Sequence, residues 1–196
     1  MFGSTHLATA EHTRRPWRIH EIAKDFRVLD VWALPTPGGP DDFPRLVRLM
    51  TDFDPAETSV VVRALFAIRW TLGRMFGLDD QETGLGVRVG SLRDRLPSDL
   101  ADPPSDLDAH LFTPLYLTHN ELALEMANQT VHGLMHIGWV ADETGGYRGQ
   151  MAVLVKPNGA LGAAYLTAIA PFRHLLVYPL MLRDIGRAWS VAGAHR

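Results

Sequence analysis

The chain has 196 residues, no cysteine and a formal net charge of −3 from 19 basic and 22 acidic side chains. That length suits one domain with a sizeable core, and the missing thiols exclude disulfides, thiolate metal sites and cysteine nucleophiles. The near-balance of charge provides no field to draw in nucleic acid or an anionic membrane.

Residues 1–18 carry His6, His12, Arg14 and Arg15 among small polar residues and read as a flexible N-terminal tail. The remainder, 19–196, reads as a single domain. Phe26 to Leu34 is predicted as a first strand, with Phe26, Val28, Trp32 and Leu34 on one face and Asp30 intruding on it. Pro35 to Pro40 ends it, because prolines lack a ladder donor and glycines favour turns. Asp41 or Asp42 can cap a short helix over 43–53 whose apolar face is Phe43, Leu46, Val47 and Met50. Thr58 or Ser59 can cap a second helix, Val60 to Phe76, with Val61, Leu65, Ile68, Leu72 and Met75 as its stripe. Residues 79–111 form a long polar connection, within which Leu92 to Pro97 is expected as a fixed turn.

Closely spaced strands follow. Phe112 to Thr118 is one strand, and His119-Asn120 is a turn. Leu122, Leu124 and Met126 then alternate with Glu121, Ala123 and Glu125, a pattern that predicts a half-exposed strand with solvated glutamates. Val131 to Val140 places Val131, Gly133, Met135, Ile137 and Trp139 on one face and His132, Leu134, His136 and Gly138 on the other. Gly145-Gly146 marks a hairpin, and Tyr147 to Val155 returns with Met151, Val153 and Val155 aligned. Connections this short allow only an antiparallel meander. The long apolar segment 157–189 reads as a closing helix with Leu161, Tyr165, Ile169 and Phe172 on one side, kinked or broken at Pro171 and Pro179. Its longest apolar run, 159–170, is shorter than the roughly 20 residues that span a bilayer, so a cytoplasmic protein without membrane insertion is expected.

The order strand, two helices, sheet and long helix resembles the helix-grip fold of the START-like, birch-pollen-allergen-like (SRPBCC) superfamily. Gly159, Leu161-Gly162, Tyr165, Ile169 and Pro171-Phe172-Arg173-His174-Leu175-Leu176-Val177 resemble the closing segment of a bacterial family of unknown function within it, as does Ser91 to Pro97. The resemblance implies an α+β fold in which an antiparallel sheet wraps a long C-terminal helix. It also implies an apolar small molecule held between the two. Fusion of family members to an oxidoreductase-like domain implies an oxidoreductase partner, and a homodimer is also compatible.

The residues expected to line such a cavity are Trp32, Met135, Ile137, Trp139, Met151, Val153, Tyr165, Ile169, Phe172 and His174, because aromatic and sulfur-bearing side chains offer large surfaces with few polar atoms. A solid core would use the same residues. An enzyme of cyclase, hydrolase or dehydratase type would need a titratable group in the cavity, the candidates being His132, His136, Arg173, His174 and Tyr165. No metal or other cofactor is expected. On a strand His132 and His136 share a face but lie about 13 Å apart at roughly 3.3 Å per residue, too far for one zinc ion, and they read as partly exposed sheet histidines. Gly84-Leu85-Gly86 with Gly90 lacks the spacing of a dinucleotide loop, and no serine has a nucleophile-elbow context.

Overall fold

The computed structural model describes residues 6–51, 89–100, 107, 112–127 and 131–193, Leu161 by its backbone only. The helix expected over 60–76, with its caps, and the Asn128-Gln129 turn lie outside the described residues, as does most of the connection 79–111.

Among the described residues, alternating apolar residues and short turns build one antiparallel sheet of six strands: β1 (His6–Leu7), β2 (Arg27–Ala33), β3 (Thr113–Leu117), β4 (Glu121–Ala127), β5 (Val131–Ala141) and β6 (Tyr147–Pro157). Their spatial order is β1-β2-β6-β5-β4-β3. The meander β3 to β6 is therefore as expected, and the first long strand, β2, adds to its β6 edge. Gly145, at φ 84°, turns the β5–β6 hairpin in a conformation that a side chain would oppose.

The C-terminal segment lies on one face of this sheet. It runs through α4 (Gly159–Ala168), a short α5 (Ala170–Phe172), a π-helical turn over Arg173–Val177 and α6 (Tyr178–Gly193). The axis bends by 44° at Ile169, just ahead of Pro171. Pro179 does not break the helix. Its missing N–H and its clash with the carbonyl four residues back fall where the wider π turn already departs from α geometry. Leu166 is buried before the bend, and past the π turn the buried stripe is Tyr178, Leu182, Ile185 and Trp189. Tyr165 and Ile169, expected to seal the sheet, are only half-buried, and Phe172 is 39% exposed. No single helix among the described residues is long and apolar enough to cross a membrane.

Phe43, Leu46, Val47 and Met50 of α3 (Phe43–Thr51) are buried as their spacing predicts, and they join Trp32, Leu122, Leu124, Ile137, Trp139 and Met151 in the core beneath α6. Trp189 ties the parts together. Its indole donates to the Pro37 carbonyl (3.0 Å), and the Arg45 guanidinium lies 3.7 Å over its ring and reaches its carbonyl.

The opposite face is covered too. The stretch read as tail is packed instead: β1 pairs with β2, α1 (Ala10–Thr13) buries His12, and Trp17 leads into α2 (Ile19–Ile22), whose isoleucines are buried. Trp17 lies so close to Gly138 that a Cβ there would fall 2.8 Å from its ring, so the tryptophan needs that glycine. The 3₁₀ turn Leu92–Arg95 adds Leu92, and a second core forms with Val31, Leu115, Tyr116, Leu134, Val140 and Leu154. Each large side chain so buried contributes about 1.5–3 kcal/mol. Glu121 and Glu125 are therefore not a solvated face, and His132 and His136 are not partly exposed: all four are buried, at 4%, 0%, 2% and 0% exposure.

Candidate functional site

Strand register arranges the helix-covered face in rows. Trp32, Met151, Ile137 and Leu122 are cross-strand neighbours, and all four are buried beneath α6. The next row is Asp30, Val153, Met135 and Leu124. Here burial is incomplete: Asp30 and Leu124 are buried at the ends, whereas Val153 and Met135 between them are partly buried against the same core. Of the residues expected to line a cavity, Trp32, Ile137, Trp139 and Met151 are thus core. Met135, Val153, Tyr165, Ile169 and His174 are partly open, and Phe172 is open.

A charged group closes the row. A bare carboxylate on an apolar sheet face would be strongly unfavourable, so Asp30 is compensated by the helix. Oδ2 accepts from Arg173 Nε (3.0 Å) and the Tyr178 hydroxyl (3.0 Å), and Oδ1 accepts from His174 Nε2 (2.7 Å). Arg173 and His174 open the π turn and Tyr178 follows it, so one irregular stretch delivers all three donors. Burial, then the Asp30 carboxylate, pushes the Tyr178 phenol well above its usual range and keeps it a neutral donor. His174 retains 38% of its side-chain surface. His6 of β1 is exposed and stands beside it, its ring centroid 5.3 Å from that of His174 and 4.7 Å from that of Trp32. One ligating atom each from His6, Asp30 and His174 lies within 4.8 Å of the other two.

The opposite face holds two buried glutamate–histidine pairs. Glu121 accepts from His136 Nε2 (3.1 Å), the Tyr116 hydroxyl (3.0 Å) and the Arg18 backbone N–H (3.0 Å). Burial favours the neutral acid, but the His136 bond, with Arg18 and Tyr116 behind it, holds Glu121 below the usual carboxylate range. Burial lowers His136, which is neutral despite Glu121. Its proton then sits on Nε2, toward the carboxylate, and its bare Nδ1 accepts from His12 Nε2 (3.1 Å). His12 is itself lowered to about 2 by burial, then by His136, His20 and Arg15. Glu125 accepts from His132 Nε2 (2.6 Å), Ser91 Oγ (2.7 Å) and the Leu92 N–H (2.9 Å). It too lies low: burial opposes ionisation, and these donors outweigh it. Each histidine has its own glutamate, and the pairs pin the N-terminal segment and the 91–95 turn to the sheet. Their bonds are structural, so His132 and His136 do not join Arg173 and His174 at a common site.

Two open clefts also occur. One, of about 470 Å³, is lined by Thr9, Thr13, His20, Lys24 and Phe26 among others. The second, of about 500 Å³, is lined by Arg15, Trp17, Arg18, Asp99 and His119 among others. Both lie by the N-terminal segment rather than beneath the C-terminal helix, and both are half polar, unlike the enclosed apolar chamber that the sequence leads one to expect. The residues that sequence reasoning passed over are Asp30, His6 and Tyr178. The one available signal was Asp30 itself, a carboxylate at a core position of an apolar strand.

No curated protein and no solved structure matches the chain. A family model does match, over residues 22–180, which takes in β2, the meander, the π turn and Tyr178. The chain belongs to the family described as Protein of unknown function (DUF2867).

Proposed function

We propose that this protein binds an apolar or aromatic small molecule between the sheet and the C-terminal helix, in the manner of a helix-grip protein. One observation carries this reading. The row Asp30–Val153–Met135 leaves two apolar side chains only partly buried on a sheet face whose neighbouring row is fully buried, and it ends on a compensated carboxylate with a partly open imidazole. Strands spaced about 4.8 Å apart make the row from Asp30 to Met135 about 10 Å long. That matches a ring system or short chain with a hydrogen-bonding group at the His174 end, and partly apolar walls with a few fixed polar atoms suit such a ligand.

Native mass spectrometry of the purified protein, with extraction of any retained compound, tests the proposal. Titration with anilinonaphthalene sulfonate, an aromatic probe with an anionic end, supplies a second readout. One saturable probe site, weakened by Met135→Gln and by Val153→Thr in proteins that keep their unfolding midpoint, is the expected result. No retained compound together with no saturable probe site, or probe binding indifferent to both substitutions, overturns it.

A further inference from the structure

We propose that His6, Asp30 and His174 form a binding site for one divalent transition-metal ion. The three residues come from β1, β2 and the π turn, far apart in sequence, yet their ligating atoms lie within 4.8 Å of one another. Zinc-type bonds of about 2.0–2.2 Å place neighbouring ligand atoms about 3.4 Å apart at a tetrahedral centre. Asp30 Oδ1 and His174 Nε2, now 2.7 Å apart, would open slightly to admit the ion. The most distant pair would close by at most about 1.4 Å to reach that spacing. His6 can make this adjustment, because it is exposed and sits on a two-residue strand.

The surroundings already orient the ligands. Arg173 and Tyr178 hold Asp30 Oδ2 and leave Oδ1 directed at His174, the role that outer partners play around metal-binding carboxylates. Trp32 packs against both imidazoles, with centroids 4.7 and 6.0 Å away. Two imidazoles and one carboxylate select zinc, iron, cobalt or manganese over magnesium and calcium, which prefer oxygen-only shells. Such a trio also leaves coordination positions free, on the open side next to His6. The Arg173 charge opposes a cation, so binding is set weaker than at a closed structural zinc site. The inference is independent of an apolar ligand, since metal alone is the probe.

Untagged full-length protein would be titrated with Zn²⁺ by calorimetry and with Co²⁺ by its visible d–d absorption, which reports nitrogen ligation. The expected result is one equivalent bound, with His6→Ala and His174→Ala each weakening binding by at least the about 10–100-fold that losing an outer partner costs, and His119→Ala leaving it unchanged. His6→Ala removes an exposed side chain, so its far-UV dichroism and unfolding midpoint should match the parent, which separates lost ligation from lost fold. No uptake at about 1 mM metal, an affinity too weak to matter, overturns the proposal. Uptake that survives both histidine substitutions also overturns it.

Discussion

Glu125 has no exposed surface, and it accepts three hydrogen bonds, from Ser91, Leu92 and His132. Replacing it with alanine strands the His132 imidazole, the Ser91 hydroxyl and the Leu92 N–H inside the second core. Each buried donor left without its partner costs about 1–3 kcal/mol, and urea unfolding of Glu125→Ala should show a loss of several kcal/mol. A change below about 1 kcal/mol would mean that the pair lies in water after all, since exposed pairs contribute that little. Asp30 presents the same chemistry on the other face, with one difference: His174 is partly open there. A buried carboxylate that pins backbone and one that faces an open imidazole are alike in sequence. They differ only in what the fold lays over them.

At the scale of elements, α6 is held along its buried stripe by Tyr178 near the π turn, Leu182 and Ile185 in its middle, and Trp189 near its last turn. Trp189 packs on Trp139, bonds the Pro37 carbonyl and stacks under Arg45. Trp189→Ala should therefore destabilise the protein by about 3–5 kcal/mol, the range for large aromatic deletions, with the lost near-ultraviolet dichroism of the tryptophan cluster as a second readout. Much of this element was legible beforehand. The turn signals placed the meander, the spacing of Phe43, Leu46, Val47 and Met50 placed α3, and Pro171 marked the bend. The face of the last helix was not legible, because a 3.6-residue period cannot anticipate a π turn.

For the molecule as a whole, alternation in β4 and β5 suggested a sheet with one wet side, whereas the structure buries both. What hid this was the plain look of the covering. Residues 6–18 have no apolar period, and they dock through the short β1 pairing on β2, the Arg18 N–H on Glu121, and the contacts of Trp17 on Gly138 and His12 on His136. That lid makes stability depend on acidity. His12 and His136 titrate lower when folded than their ordinary 6.5, so their contribution is complete above about pH 6.5 and is lost as pH falls. Glu121 and Glu125, also lowered, add a loss that begins near their ordinary value of 4.5. Urea midpoints measured from pH 8 to pH 4 should be flat at first and then drop, by up to about 1.4 kcal/mol per pH unit for each histidine. His12→Gln should make the fall between pH 6.5 and 4.5 shallower, and an unchanged slope would show that His12 does not titrate with folding. The same lid sets a timetable for synthesis, since His12 meets His136 across 124 positions of chain. At about 5–20 residues per second, the earliest turns leave the ribosome roughly 6–25 s before their seat exists. Through that interval Trp17 lacks the Gly138 seat it packs on.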